Sequence, residues 1–162
     1  FVDFNLKKWV IDAGALQLVD PRFFPSTSII TPNKMEFEKL FNIEIQSNML
    51  LEEMVELVKN VSLAYGFTVL FKNEKNSVIT DGNETYIIKV ELTPGTAKGG
   101  FGDVQAGLCA AFYAKNNALL SAASASYLIS QVANKLQAER NFMFNADDLV
   151  DSMPIIYSKL IG

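Results

Sequence analysis

No histidine occurs among the 162 residues of this chain. That removes Ser-His-Asp and Cys-His catalysis and every histidine-based metal site. Acid–base work must then fall to carboxylates, lysine, tyrosine or water. Cysteine occurs once, as Cys109, so no disulfide can form within the chain and a reducing compartment, the cytoplasm, is expected. Cys109 stands in an apolar helical run, where a small core residue is the expected role and a catalytic thiol the alternative. Basic runs are also missing and the net charge is −4, which argues against nucleic acid as a partner. No apolar run reaches the roughly 18 residues of a membrane helix, so no membrane partner is expected. No signal peptide is visible, and an opening on Phe1 rather than methionine implies a start inside a longer product.

What is present is ordinary for a soluble globular chain: 49% hydrophobic and 20% charged residues. The length suits one domain, 1–162, with a sizeable core. Lys8-Trp9-Val10-Ile11-Asp12 reads as a buried strand ending in a carboxylate, broken by Ala13-Gly14. Ligands in open α/β sheets lie beyond the carboxyl ends of strands, so Asp12 is either a pocket wall or a cap for a short turn over 15–19. Ser28-Ile29-Ile30-Thr31 is a second strand, stopped by Pro32. A helix over 33–41 follows, with Met35, Phe37, Leu40 and Phe41 expected towards a core. Asn33 and Glu36, three apart, share one side of its first turn, as a ligand pair or as a capping box.

Ser47 is expected to cap a helix over 48–65, with Leu50, Met54, Leu57 and Val61 at helical spacing. Phe67–Phe71 is rich in β-formers, and 77–80 with 85–90 around Asp81-Gly82-Asn83 reads as a hairpin. Two apolar helices follow over 102–115 and 119–139, then a helix over 146–153 capped by Asn145 and another begun by Pro154. Strands alternating with helices, then a hairpin, then helices, predict an α/β fold with a mostly parallel sheet flanked by helices.

Between hairpin and helix lies Gly99-Gly100-Phe101-Gly102-Asp103. Glycines permit close approach to backbone, and the first N–H groups of a helix attract anions. The segment is no Walker A loop, because no Gly-Lys-Ser/Thr closes it, and no dinucleotide fingerprint, because Gln105 stands where the third glycine belongs. It can be an anion cradle with a carboxylate beside it, or a flexible connection with Asp103 as a helix cap.

Four segments occur in one order: Ile11-Asp12-Ala13-Gly14-Ala15-Leu16, Ile30-Thr31-Pro32-Asn33 with Glu36-Phe37, Val69-Leu70-Phe71-Lys72, and Lys98-Gly99-Gly100-Phe101-Gly102-Asp103. Together they resemble the ribokinase-like superfamily and, within it, the nucleotide-dependent NAD(P)H-hydrate dehydratases. The resemblance covers nearly the whole chain but only the C-terminal part of that fold. It therefore implies a partial ribokinase-like α/β domain whose N-terminal part is missing.

The resemblance implies that hydrated NADH or NADPH is phosphorylated on its extra hydroxyl by ATP or ADP, with Mg2+, and that phosphate then leaves. It makes Asp103 the catalytic base, at a helix end that favours negative charge. Asn33, Lys34, Met35, Glu36, Phe37, Glu38, Lys39 and Asp103 would contact the hydrate. Lys72, Asn73, Glu74, Lys75 and Asn76, with Thr96, Lys98, Gly99, Gly100, Phe101 and Gly102, would contact the nucleotide. Glu36 would serve the metal, directly or through water. The segment departs from the family pattern at Gln17, at Met35, at Asn73 to Asn76, and at the bulky Phe101. A small-molecule kinase of the same superfamily (hydroxymethylpyrimidine, thiazole or sugar) and a non-catalytic truncated binding module remain as alternatives, and a homo-oligomer stays open.

Overall fold

Residues 7–89 and 99–162 are described by the computed structural model. In chain order they form β1 (Trp9–Ile11), α1 (Gly14–Leu18), a 3-10 turn (Pro21–Phe23), β2 (Ser28–Ile30), α2 (Lys34–Phe41), α3 (Leu51–Tyr65), β3 (Thr68–Lys72), β4 (Asn76–Thr80), β5 (Thr85–Lys89), α4 (Phe101–Tyr113), α5 (Ala118–Arg140) and α6 (Ala146–Ile161). The strands make one sheet in the order β1-β2-β3-β4-β5. β1, β2 and β3 are parallel, with Val10 opposite Ile29 and Ile30 opposite Val69. β4 runs against β3, and β5 against β4, so every strand but β4 points the same way.

Neighbouring apolar residues in these strands serve opposite faces, because strand side chains alternate. Ile30, Val69, Phe71 and Val78 pack with Phe37 of α2 and with Met54, Val58 and Val61 of α3. Ile29, Leu70 and Ile79 pack with Cys109 and Tyr113 of α4 and with Leu119, Ala122 and Ala125 of α5. Both faces are thus covered, as a mostly parallel sheet requires. Leu128, Val132, Leu136, Phe144 and Leu149 form a further cluster, onto which Phe101 and Val104 pack. Among the described residues no helix is long and apolar enough to cross a membrane.

Four expectations need correction. Met35 is 76% exposed while Phe37 is fully buried. Two residues are about 200° apart around a helix, so the pair cannot share a face. Ser47 does not cap α3. The helix starts at Leu51, and the N–H of Leu50 donates to the Glu53 carboxylate. Leu50, outside that helix, is exposed, whereas Leu57 packs partly buried on the core beside the buried Met54, Val58 and Val61. The last helix is single and holds Pro154 in its interior. Leu149 is buried and Met153 and Ile156 pack on the same cluster, so an unbroken stripe crosses the proline and offsets its missing hydrogen bond.

Phe37 meets Phe41 and Phe71 edge-on, with ring centroids 4.8 and 5.0 Å apart. Phe37→Ala is expected to lower stability by about 3–5 kcal/mol in a urea titration, as for other buried aromatic truncations. Cys109 is fully buried, and burial pushes its thiol up to about 12. Thiolate is the reactive form, so iodoacetamide at pH 8 should leave the native chain unmodified and alkylate it only after unfolding.

Candidate active site

Each of the three parallel strands ends in a polar residue, and the fold gathers these ends together. Asp12 follows β1, Thr31 follows β2, and Lys72 closes β3. The buried Thr31 hydroxyl donates to Asp12 Oδ1 over 2.6 Å. Lys72 Nζ donates to the same oxygen over 3.2 Å. Both partners of this ion pair are largely shielded, with side-chain exposures of 20% for Lys72 and 13% for Asp12. The alternative role of Asp12 as a cap for α1 does not hold. Ala13 occupies the N-cap position and no side chain caps that helix.

The first turn of α4 stands over this group. A Cβ on Gly102 would lie 3.4 Å from Lys72 Nζ and 3.8 Å from Asp12 Oδ2. Gly100 is the N-cap, with φ +92°, a left-handed conformation that favours glycine. A Cβ there would also meet the Ala146 Cβ at 2.9 Å, so α6 closes the back of the turn. The Phe101 ring leaves the loop for the core, 6.0 Å from the Phe144 ring. Its bulk therefore does not obstruct the backbone. The first helical bond runs from the Val104 N–H to the Gly100 carbonyl. The N–H groups of the preceding residues have no partner within the helix and carry its positive end. Asp103 lies in this first turn and is exposed.

The remaining candidate residues fall into two groups. Asn33 is tied to the site through the backbone, since it bridges to Lys72 and the Lys72 N–H donates to the Pro32 carbonyl. Asn33 and Glu36 form a capping box: the Asn33 side chain accepts from the Glu36 N–H, and Glu36 Oε2 accepts from the Asn33 N–H. Phe37 is the exception within its run. It is fully buried, so its side chain is a core element and cannot touch a substrate. A helical run of seven residues turns through every direction, and one of them must face the sheet. Lys34 and Glu38 line a depression with Asn42, Ile43, Glu44 and Ile45, and Glu38 accepts from the Ile45 N–H. Lys39 lines another with Arg22 and Tyr65. The turn after β3 is closed on itself: the Asn73 N–H donates to the Asn76 carbonyl, and Asn73 Oδ1 accepts from the Glu74 N–H. Glu74 and Lys75 are exposed. Thr96 and Lys98 lie outside the described residues.

Thr31 was absent from the residues expected to contact ligands, although it belongs to the Thr-Pro-Asn segment. Its signal was positional, a polar side chain directly after an apolar strand. Among the described residues no cluster of three or more histidine, cysteine, aspartate or glutamate side chains could hold a metal ion.

A family described as NAD(P)H-hydrate dehydratase matches residues 1–155. The ADP-dependent (S)-NAD(P)H-hydrate dehydratase of Nitrosopumilus maritimus is 34% identical over 127 residues, covering 78% of this chain and 43% of that protein. The enzyme of the same description from Lactococcus lactis is 29% identical over 159 residues, covering 94% of this chain and 55% of that protein. The chain thus spans about half the length of these relatives. The ADP/ATP-dependent NAD(P)H-hydrate dehydratase of Bacillus subtilis, co-crystallised with ATP and Mg2+, superposes with a TM-score of 0.78 at 22% identity, covering 93% of this chain and 54% of that one. It shares the fold, a ribokinase-like α/β sheet. With a match across nearly its full length and three strand ends gathered under a glycine-opened helix, the chain belongs to the NAD(P)H-hydrate dehydratase family.

Proposed function

We propose that the chain carries the phosphoryl-transfer half of a nucleotide-dependent NAD(P)H-hydrate dehydratase. The observation that carries this reading is the start of α4, whose first turn holds Asp103, leaves its amides without partners within the helix, and sets Gly102 beside Lys72 and Asp12 at the carboxyl ends of β3 and β1. Negative charge builds on the phosphoryl group during transfer, and backbone amides at a helix start stabilise it without reorganising. The N–H groups of Phe101 and Gly102 suit that role, with Lys72 supplying a cation beneath them. The exposed Asp103 carboxylate would accept the proton of the hydrate hydroxyl as its oxygen bonds to phosphorus and the bond to the departing nucleotide breaks. Phosphate would then leave with the electron pair of the carbon–oxygen bond while the neighbouring ring carbon gives up a proton to water, which restores the ring double bond of the reduced nicotinamide.

Mg2+ fits this donor set in one way only. The described residues offer no carboxylate cage, and Glu36 already uses Oε2 on the Asn33 N–H. An ion held chiefly by phosphates and water, with Glu36 orienting a water, suits such a site. There it would neutralise phosphate charge. The co-crystallisation of the Bacillus subtilis protein with ATP and Mg2+ supports this reading.

Incubation with NADH hydrate, Mg2+ and either ATP or ADP tests it. NADH absorbance and inorganic phosphate should rise together, whereas a stable phosphorylated product would mark a kinase instead. Asp103→Asn is expected to lower turnover by at least about a hundredfold, the scale of a lost general base, with nucleotide affinity by calorimetry within twofold of wild type. Gly102→Val should instead weaken nucleotide binding, because branched methyls would fill the space between the helix start and Lys72. An unchanged dissociation constant would remove the cradle.

A further inference from the structure

Lys72 has a long, flexible stem, and an ammonium left to itself turns towards water. Here it is instead held against α4. Asp12 Oδ1 receives both Lys72 Nζ and the Thr31 hydroxyl, and Thr31 is fully buried. The hydroxyl therefore fixes the carboxylate, and the carboxylate fixes the ammonium. The position of Gly102 shows where this places the cation, since Nζ lies 3.4 Å from the space a Cβ would take on the first turn of the helix. Asp12 caps nothing in α1. With a side-chain exposure of 13% it is also poorly placed to meet a substrate itself.

We propose that Asp12 is a positioning residue, which through its ion pair holds the Lys72 ammonium beside the first-turn amides of α4 so that cation and amides face the same nucleotide phosphate. The inference rests on the nucleotide reading above and adds to it the reason a carboxylate stands behind an anion site. Removing that charge has two opposed consequences. It takes a negative group away from the phosphates, which strengthens binding, and it frees Lys72, which weakens binding. The sign of the net change separates positioning from simple repulsion.

Calorimetric titration of the full chain with ATP and Mg2+, and with ADP and Mg2+, tests the proposal. Asp12→Asn should weaken nucleotide binding by roughly three- to tenfold, the cost of ordering one long side chain on binding. Thr31→Val should weaken it in the same direction by less. In a Lys72→Met background, Asp12→Asn should no longer weaken binding and should tighten it or leave it unchanged, because the cation it holds is gone and only the loss of a negative charge remains. A merely structural role would move the melting temperature but give the same affinity loss in both backgrounds, and that result overturns the proposal. Wild-type or tighter binding by Asp12→Asn overturns it as well. If Asp12→Asn does not fold, Thr31→Val decides, and wild-type affinity there is fatal. A wild-type chain that binds neither nucleotide removes the nucleotide reading and this inference together, whereas binding that is insensitive to Asp12 removes this inference alone.

Discussion

A single carboxylate holds together three strand ends that are far apart in sequence. Asp12, Thr31 and Lys72 come from β1, β2 and β3, and their side chains meet at one oxygen atom. Such an ion pair adds little to stability, because shielding two charges from water costs about as much as their attraction returns. Its consequence is geometric. The ion pair turns the ammonium towards the first turn of α4, where Gly102 lies beside it. The rest of the fold serves that arrangement. α4 is pinned from below by Cys109 and Tyr113 against the sheet and from the side by α5 and α6. The Tyr113 hydroxyl donates to the Thr27 carbonyl just before β2, and Lys8 Nζ donates to the Tyr113 and Asn116 carbonyls at the far end of α4. These bonds tie the C-terminal end of α4 to the segments before β1 and β2, while its first turn is held by Phe101 and Val104 packing on the Phe144 cluster.

Much of this was legible in the sequence because it depends on periods and on local chemistry. Ile29 next to Ile30, and Val69 next to Leu70 and Phe71, announce strands buried on both faces. The Asn33–Glu36 spacing left a ligand pair and a capping box open, and the structure has the capping box. What escaped was decided by packing at a distance. Pro154 reads as a helix boundary, yet Leu149, Met153 and Ile156 share one stripe on α5 and carry α6 through it. Ser47 reads as a cap, but the helix start was set by Glu53 reaching back to the Leu50 amide. Met35 looked apolar enough for the core, but a helix with Phe37, Leu40 and Phe41 inward must turn Met35 out.

The site divides along the same line. Gly100, Gly102 and Asp103 could be picked out because glycines, a carboxylate and a helix start coincide within a few residues. Phe101, bulky within that loop, resolves once Phe144 is seen to receive its ring. The link between Asp12 and Lys72 spans 60 residues and has no local signature. Only the recurrence of a polar residue at the end of each apolar strand hinted at it. Phe37 illustrates the converse: a run that matches a family segment is not a run of contacts, because an amphipathic helix turns one face of such a run into the core.

The exposure of Asp103 bears on how such a site could work. A base that must accept a proton from a weakly acidic hydroxyl gains little from standing in bulk water, where its charge is well solvated and its partner is not held. On the proposed reading, bound ligands would contribute to the enclosure that such a base needs. On that reading, a nucleotide along the first turn of α4 would set phosphate oxygens on one side of Asp103, and the hydroxyl to be phosphorylated would approach from the other. On this geometry the carboxylate becomes effective only when both ligands are present. Water alone is a poor acceptor in that arrangement, because it lacks the remote binding surface that would displace solvent from the base. On the proposed reading, such a site would favour transfer to a large, well-anchored acceptor over hydrolysis, through the surface that acceptor brings to the carboxylate.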